Sequence, residues 1–445
     1  MINIVRESDC CGCGACSVVC PRGCITMKKG TLGHLFPAAD AKKCVDCGLC
    51  DKVCPMIPGL APSVGVPSSD AALYEGSSAA ASDKVSFVGE SPAEITSAEI
   101  SSGEVSPAGT PSADQRVFAA YAKDGGIRFS GSSGGMFGVF ARKAIRSGYT
   151  VYGAAFDKDM KLRCTSADSV DSLAPLYKSK YLQSDLTGSY KEIRDRLTAG
   201  QGVMFVSTPC QVAALRKYLG REYSNLLTVD FFCHGVPSQA FFDDCLAVDG
   251  RRFGGKVKGY EFRTKRKHGS TPHYFTEVYE KDGAEKTVSD YYFGSPFYAV
   301  FQKYIDLRES CYNCRFAGRE RFSDITVGDF HDIDRYIGGI DRFDGVSTVV
   351  VNSPKGRAFW ELCKEDTVHF PMDVERLIGD GVIFGSGTER PSGRDEFIKD
   401  SRELDTEELL KKWADPGSYK TKRLYYSLPS PIRKCLKKIM GGMSL

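Results

Sequence analysis

The chain has 445 residues, which is enough for two or three domains with a substantial core. Hydrophobic residues make up 42%, as in globular proteins, and the formal net charge of +3 is too small to indicate nucleic-acid binding. The sequence contains no apolar run long enough to span a bilayer, and it enters a cysteine motif almost at once, so we expect no signal peptide. Free thiols in this motif favour a reducing compartment, and we therefore expect a cytoplasmic protein.

Eight of the 18 cysteines fall in two copies of one pattern, C-x2-C-x2-C-x3-C-P. This is the spacing of bacterial ferredoxins with two four-iron clusters, in which the fourth cysteine of each run ligates the other cluster. We therefore assign one cluster to Cys10, Cys13, Cys16 and Cys54, and a second cluster to Cys20, Cys44, Cys47 and Cys50. Structural zinc and disulfides are the alternatives, but their motifs rarely run cysteines this densely into a C-P pair.

The twin motif predicts a small α+β two-cluster ferredoxin domain over residues 1–56. Residues 57–114 follow as a segment rich in Ser, Ala, Pro, Gly and Glu, without a helical or strand period. Such a composition buries too little apolar surface to fold, so we predict a disordered linker. The ferredoxin domain is then a tethered module that must dock to deliver its electrons.

The pattern becomes α/β over residues 115–385. VFAAYA predicts a strand, SGSSGG (130–135) a loop, and MFGVFARKAI a helix that stops near Gly148. TVYGAAFD and KLRCTSAD predict a strand pair, and SYKEIRDRL predicts a helix ended by Gly200. Later, HYFTEVYEKDGAEKTVSD predicts a hairpin around Asp282-Gly283, and SDITVGDF predicts a strand with an acidic end.

The most readable unit is a βαβ crossover formed by GVMFVS, QVAALRKYL and LLTVDFF. Such a crossover joins parallel strands, and Cys210 and Cys233 follow its two strands directly. Both cysteines should therefore lie at the carboxyl edge of the sheet, where α/β proteins build their sites. Residues 386–445 form a C-terminal extension with a basic tail from about Lys411, where lysines and arginines face almost no acids.

Four thiols outside the twin motif form a second cysteine set: Cys210, Cys233, Cys311 and Cys314. Their spacing allows a third cluster, and it equally allows zinc or buried structural cysteines. The six remaining cysteines have no partner pattern, and we interpret them as structural: Cys11, Cys24, Cys164, Cys245, Cys363 and Cys435.

The SGSSGG loop precedes a helix, so it is either a phosphate cradle or a simple turn. Lys180 either pairs with a phosphate or lies on a solvated face, and His234 is either a proton donor or a satisfied strand-end residue. The sequence contains neither a G-x-G-x-x-G fingerprint nor a Walker loop.

Several segments together resemble one family: SSGGMFGVFARKAIRSGYTVYGAAFD, SKYLQSD, VSTPCQVAALRKYL, VDFFCHGVPS and SCYNCRFAGRERFSDITVGDF, with the twin motif. They resemble the coenzyme F420 hydrogenase/dehydrogenase beta-subunit family, which includes beta subunits of deazaflavin-reducing hydrogenases and formate dehydrogenases. The resemblance covers Cys10 to Cys54 and about Val117 to Phe330. This chain departs from the family pattern at Ser207, usually glycine, and at His331, usually aromatic.

The resemblance implies a flavin, usually FAD, beside a third four-iron cluster held by the second cysteine set. It implies flavin-phosphate contacts from Ser132, Ser133, Gly134 and Gly135. It also places four further residues near the flavin: Lys180, Tyr181, Gln183 and Ser184. The fold implied is an α/β flavoprotein domain with a mixed sheet, preceded by the ferredoxin domain.

The function implied is that of an iron–sulfur flavoprotein oxidoreductase. It would pass electrons between ferredoxin-type clusters and a flavin that reduces or oxidises an unknown two-electron substrate, for which a deazaflavin coenzyme is one candidate. The alternatives are a non-catalytic electron-transfer subunit of a larger complex and an accessory protein in surface-polysaccharide biosynthesis. We expect a redox partner protein or ferredoxin, and either weak contact of the basic tail with an anionic membrane surface or a solvated tail.

Overall fold

A computed structural model describes residues 2, 6–57, 115–266, 274–414, 416–428, 432 and 436. The predicted linker, except for its first residue, lies outside the described residues, as does Cys435. The strands are β1 (Ile25–Lys29), β2 (Leu35–Ala39), β3 (Arg116–Ala122), β4 (Tyr149–Phe156), β5 (Leu162–Ala167), β6 (Gly202–Val206), β7 (Leu226–Phe231), β8 (Lys256–Thr264), β9 (Tyr274–Lys281), β10 (Ala284–Tyr291), β11 (Ile325–Asp329), β12 (Ser347–Val351) and β13 (Thr367–Met372). The helices are α1 (Ala15–Val19), α2 (Leu49–Lys52), α3 (Gly125–Ser130), α4 (Met136–Arg146), α5 (Ser189–Thr198), α6 (Pro209–Leu219), α7 (Gln239–Phe253), α8 (Pro296–Phe301), α9 (Pro354–Cys363), α10 (Val374–Gly379), α11 (Arg394–Glu403), α12 (Thr406–Trp413) and α13 (Pro416–Ser427).

An eight-stranded mixed sheet organises the larger domain, in the order β13-β3-β12-β11-β7-β6-β4-β5. The pairs β11–β7, β7–β6 and β6–β4 are parallel, whereas β12 is antiparallel to both of its neighbours. Because β3 and β11 both oppose β12, they run in the same direction. The strands β3, β11, β7, β6 and β4 therefore all end at one edge of the sheet.

The βαβ crossover predicted from the sequence is confirmed. Strands β6 and β7 pair in parallel, α6 connects them, and Gly220 ends α6 with a left-handed φ of 69°. The predicted hairpin is also confirmed, since β9 and β10 pair around Asp282 and Gly283. Both turn residues have positive φ values, 53° and 75°, which a two-residue turn of type I′ requires.

Helix α4 shows how the apolar pattern builds the core. Met136, Val139, Phe140 and Ala144 recur at helical spacing, and all four are buried in one cluster with residues of the sheet and Trp360. This packing fixes the start of α4, and with it the glycine–serine loop, at the carboxyl edge of the sheet.

The C-terminal extension packs against the domain for part of its length. Phe397 of α11 and Leu409 and Leu410 of α12 are buried in the aromatic cluster beside the three-stranded sheet β10-β9-β8. Two basic residues of the tail have acidic partners that precede the tail in the chain. Lys412 pairs with Glu396 and Asp400 at 2.8 and 2.7 Å, and Arg423 pairs with Asp290 at 3.4 Å.

Residues 6–57 form a small N-terminal module of the hairpin β1–β2 and the short helices α1 and α2. Gly14 and Gly48 precede the two helices with left-handed φ values of 75° and 72°. These glycines let the chain turn sharply inside each cysteine run.

The N-terminal module lies directly against the larger domain. Ala15 and Val53 are buried in one apolar cluster with Tyr190 and Leu215 of the domain. The Tyr190 hydroxyl donates to the Cys13 carbonyl at 3.0 Å. The sequence analysis expected a tethered module that must dock, and these contacts show which side chains of the domain hold it.

Within the part of the chain that the structure describes, no helix has both the length and the apolar character that crossing a membrane requires.

Candidate functional site

Three sets of thiols lie along the N-terminal module and the carboxyl edge of the sheet. The first cavity, of about 370 Å³, is lined by Cys20, Cys44, Cys47 and Cys50. These are the four thiols that the crossed ferredoxin assignment gives to the second cluster. Cys47 is exposed, so this cavity opens at the outer surface of the module.

The other ferredoxin quartet lies deeper in the module. Cys10, Cys13, Cys16 and Cys54 are all buried. Burial raises the pKa of Cys16, and the nearby thiols of Cys13, Cys10 and Cys54 raise it further. The fourth cysteine of the second run thus lies with the first three of the first run, as the crossed assignment predicts.

The remaining quartet lines a second cavity, of about 550 Å³, at the sheet edge. Cys210 lies in the first turn of α6 and Cys233 follows β7, while Cys311 and Cys314 come from the loop before β11. Gly235 permits their approach, because a Cβ there would lie 3.1 Å from the Cβ of Cys311. The sequence therefore predicted correctly that these four thiols converge.

One local turn recurs in all three sets. The amides of Gly12, Asp46 and Gly235 donate to the sulfurs of Cys10, Cys44 and Cys233 at 3.3, 3.4 and 3.4 Å. The three donor residues have φ values of 68°, 52° and 119°. Amide hydrogen bonds to sulfur stabilise a thiolate and adjust the potential of a cluster that it ligates.

The donor sets fit multi-iron clusters better than single ions. Over the described residues, no group of three histidine, cysteine or acidic side chains converges as a single-ion site requires. Two of the three quartets instead line open cavities, as a group of several metal atoms between the thiols would require. The four-iron cluster assignment thus agrees with the geometry and stays a prediction.

Two cysteines that the sequence analysis interpreted as structural lie at these sites. Cys11 lines the cavity of about 550 Å³, and hydrogen bonding to it lowers the pKa of Cys210 to about 7. The Cys24 sulfur lies 3.3 Å from that of Cys20 and lines the other cavity. In the sequence, only their position inside or beside a cluster motif could have indicated that Cys11 and Cys24 lie at these sites. By contrast, Cys164, Cys245 and Cys363 are buried in apolar clusters and line neither cavity.

Protein partners already hold most of the glycine–serine loop. The Ser133 hydroxyl donates to the Val346 carbonyl at 2.8 Å, and the Gly134 amide donates to the Ser347 hydroxyl at 3.0 Å. The Ser132 hydroxyl accepts from the Ser179 amide at 2.6 Å. Gly135 begins α4 with a φ of 79°, and within the described residues no side chain caps this helix. The amides of the first turn of α4 are thus the better phosphate donors in this loop.

The segment 178–184 connects the glycine–serine loop with the quartet at the sheet edge. Ser179 binds Ser132 at one end, and Gln183 lines the cavity of about 550 Å³ at the other. Four residues of chain span at most about 14 Å, so the two places lie within that distance of one another.

The four predicted flavin neighbours in this segment have different surroundings. The Lys180 ammonium donates to the carbonyls of Pro175 and Tyr177, and burial lowers its pKa to about 7. The Tyr181 ring contacts an aromatic cluster that includes Phe262, Tyr298 and Phe301. The Gln183 amide donates to the Cys11 carbonyl at 2.6 Å, and the buried Ser184 carbonyl accepts from Gln211 at 2.7 Å. Lys180 and Tyr181 lie toward the loop, whereas Gln183 and Ser184 lie toward the thiols.

The sequence analysis missed a lysine beside the glycine–serine loop. The Lys265 ammonium donates to the carbonyls of Arg128, Ser133 and Asp344 at 2.7, 2.7 and 2.6 Å. Burial lowers its pKa to about 8. Its sequence context, TKRKHG, is a basic run that gives no sign of burial. His234 follows β7, and His331 follows β11. Burial lowers the pKa of His234, and the charge of His331 lowers it further.

Comparison with protein families gives a match over the part of the chain that carries the four sheet-edge thiols. Residues 200–371 match the family model that describes the C terminus of the beta subunit in coenzyme F420 hydrogenase/dehydrogenase. This part of the chain is therefore similar to the C-terminal domain of that family. The match runs from just before β6 into β13 and contains all four thiols of the quartet at the sheet edge. The proteins that this model describes are beta subunits of hydrogenases and dehydrogenases.

Further comparisons give less detail. No curated protein sequence matches the chain. A chain in the xenon-derivatised structure of the F420-reducing [NiFe] hydrogenase complex from Methanosarcina barkeri is 17% identical to it, with a TM-score of 0.36. That likeness covers 69% of this chain and 90% of the hydrogenase chain.

Proposed function

We propose that this protein is an iron–sulfur flavoprotein oxidoreductase that joins a one-electron carrier to a two-electron substrate. The observation that carries the proposal is the convergence of three thiol quartets, two in the N-terminal module and one at the sheet edge beneath it. Iron–sulfur clusters supply one-electron transfer, and a flavin supplies the conversion between one-electron and two-electron chemistry.

The contact between module and domain supports a continuous path through protein. The Ser310 hydroxyl donates to the Cys10 carbonyl at 2.9 Å, and Ser310 is the residue before Cys311. Cys11 and Cys13 are buried in one apolar cluster, and Cys210 packs against it. Residues at the deeper module quartet therefore pack against residues at the sheet-edge quartet.

The outer cavity supports a protein as the one-electron partner. Beside the exposed Cys47, Val45 is 60% exposed, and four basic residues lie exposed on the module: Arg22, Lys42, Lys43 and Lys52. Exposed Asp40 and Asp46 lie among these residues, so the surface around Val45 is mixed in charge with a basic excess, which suits a small acidic electron carrier such as a ferredoxin. Opposite charges speed the encounter, and the apolar contact excludes water.

The glycine–serine loop and the segment 178–184 are the proposed flavin region. The first turn of α4 offers backbone amides to a phosphate, and Lys180 and Lys265 supply positive charge beside it. FAD is favoured over FMN by the family resemblance alone. The two-electron substrate is a small molecule, and a deazaflavin coenzyme is the first to test.

Quantitation of iron, sulfide and flavin after anaerobic purification tests the proposal. We expect roughly twelve irons per chain and one flavin after incubation with FAD or FMN. Cys311→Ala should reduce the iron to about eight, whereas Cys363→Ala, which removes a buried core thiol, should leave it unchanged. An iron content that Cys311→Ala does not change would remove the sheet-edge cluster from the proposal.

The second candidate is an electron-transfer subunit without its own two-electron chemistry. It is favoured by the protein contacts that already hold Ser133 and Gly134, two of the groups expected to bind the flavin phosphate. The same preparation separates the two functions. Full iron with no flavin after incubation supports the second candidate, whereas bound flavin that a two-electron donor or acceptor reduces or reoxidises supports the first.

A further inference from the structure

Arg308 lies between the N-terminal module and the sheet-edge quartet. Its side chain is 2% exposed and lines the cavity of about 550 Å³. Its Nε donates to the Gln183 side-chain oxygen at 3.0 Å, and its Nη1 donates to the Cys10 carbonyl at 3.4 Å. The guanidinium also lies over the Phe36 ring, 4.8 Å from the ring centroid. Cys10 and Phe36 belong to the N-terminal module, and Gln183 belongs to the segment 178–184, which contacts the module.

The surroundings of Arg308 contain no carboxylate partner. Among the ion pairs formed by the described residues, none includes Arg308. The other deeply buried arginines do have acidic partners: Arg394 pairs with Glu309 at 2.9 Å, and Arg128 pairs with Asp341 at 2.7 Å. A buried guanidinium without a counter-charge is costly, so a negative group is expected beside it when the site is complete.

Gly12 shows that the module is shaped around this cation. A Cβ at Gly12 would lie 2.3 Å from Nη2 of Arg308 and 2.5 Å from its central carbon. Gly12 also donates its amide to the Cys10 sulfur. The turn that holds one thiol of the module therefore also makes room for the guanidinium, which places the charge beside Cys10 on one side and the sheet-edge cavity on the other.

We propose that Arg308 is the shared counter-charge of the deeper module quartet and the sheet-edge quartet, and that it holds the reduction potentials of the two clusters at matched, raised values. This inference rests on the proposed function, because the negative groups are the thiolate-bound clusters. A fixed positive charge stabilises the reduced form, which carries one more negative charge than the oxidised form. Arg308 acts through its field and its contacts, so it is a positioning residue.

The test is a spectroscopically monitored redox titration of the full chain with its clusters loaded. Arg308→Met should shift the midpoint potentials of the deeper module cluster and the sheet-edge cluster to more negative values, and should leave the outer module cluster unchanged. Arg308→Lys, which keeps the charge, should restore both potentials toward the wild-type values. If the methionine variant does not load its clusters, Arg308→Gln carries the same expectation, because its amide can still donate to the Cys10 carbonyl.

Arg315 is the matched control, since it lines the same cavity but is exposed. Arg315→Met should give a smaller shift that salt reduces further, whereas the Arg308→Met shift should persist at high salt. Full iron with unchanged potentials in the Arg308 variants would overturn the inference and leave the proposed function standing. Equal negative shifts in the lysine and methionine variants would also overturn it, since they would show a role in packing. Wild-type protein without a sheet-edge cluster would instead refute the proposed function.

Discussion

Cys11 is the residue whose position differs most from its sequence interpretation. It is 6% exposed, and it lies between Cys13 of the module and Cys210 of the sheet edge. Its neighbour Cys10 belongs to the cluster motif, but Cys11 itself has no place in the C-x2-C spacing. It is therefore a thiol at the contact between two candidate clusters, and we predict that it ligates neither of them.

Replacing Cys11 and Cys13 separately tests this distinction. We expect Cys11→Ala to keep roughly twelve irons per chain, because every assigned ligand remains. Cys13→Ala should lose about four irons, because it removes a ligand of the deeper module cluster. Iron analysis of anaerobically purified protein is the measurement. A loss of iron in the Cys11 variant equal to that in the Cys13 variant would show that the ligand assignment is wrong.

At the scale of the elements, Asp324 ties together the strands that carry the sheet-edge thiols. It lies just before β11, it accepts from the amide and the hydroxyl of Thr228 on β7 at 2.8 Å each, and it accepts from the hydroxyl of Ser353 before α9 at 2.7 Å. Burial opposes its ionisation, but the charges of Arg216 and Lys355 and these hydrogen bonds outweigh burial and lower its pKa. The ionised carboxylate thus stabilises the order of the strands.

Asp324→Asn should destabilise the protein by about 2–4 kcal/mol at pH 7, because it weakens the acceptor of the buried Thr228 donors and removes one of the two carboxylate charges beside Arg216, which keeps Glu222. The folded-state pKa is lowered, so this stabilisation is complete above the unfolded value of about 3.9 and is lost as the pH falls through the folded value. Urea unfolding should be measured at pH 7 and at several pH values below 4. The difference in unfolding free energy between wild type and variant should become smaller as the pH falls. Asp168→Asn, at an exposed position, is the control. A difference in unfolding free energy between wild type and Asp324→Asn that does not change with pH would contradict the stabilising role of the ionised carboxylate.

The elements were predictable because their signals are local, whereas the function of the glycine–serine loop was not. Strands β6 and β7 and helix α4 follow from apolar periodicity and from glycine stops. The partners of the loop come from elsewhere: Ser347 follows Gly134 by 213 residues. A Cβ at Gly134 would lie 2.5 Å from the Ala120 carbonyl, so packing between strands is sufficient reason for this glycine. Replacement of Gly134 would disturb the sheet and is a poor test of flavin binding.

At the scale of the whole molecule, the sequence indicated which thiols lie near one another and that the N-terminal module docks, but it did not indicate which contacts hold the module. The crossed quartets and the convergence at the sheet edge follow from cysteine spacing and from the βαβ rule. The docking of the module depends on contacts such as Tyr190 with Cys13 and Ser310 with Cys10, which join residues 177 and 300 positions apart. The composition of residues 57–114 predicts a flexible tether, but that composition gives no information about the contacts that hold the module.

The contacts between module and domain predict that the module stays bound when the segment that connects them is cleaved. The Lys217 ammonium donates to the carbonyls of Cys54 and Ile57 at 2.9 Å each, and Arg315 donates to the Met56 carbonyl at 3.1 Å. With the buried apolar contact of Ala15 and Val53, these bonds should hold the module after the covalent connection is cut. A protease site placed between Ala80 and Ala81, cleaved under anaerobic conditions, should give two fragments that elute together in size-exclusion chromatography.

The double variant Lys217→Glu with Arg315→Glu is the control for this experiment. It turns two donors toward the module into carboxylates that face carbonyl oxygens, so the cleaved fragments should separate more readily and more so at low salt. If the wild-type fragments separate at once, the contacts seen here do not hold the module, and electrons must instead cross a transient encounter between module and domain. If they stay together and the variant fragments part, the linker is dispensable for holding the deeper module quartet against the sheet-edge quartet.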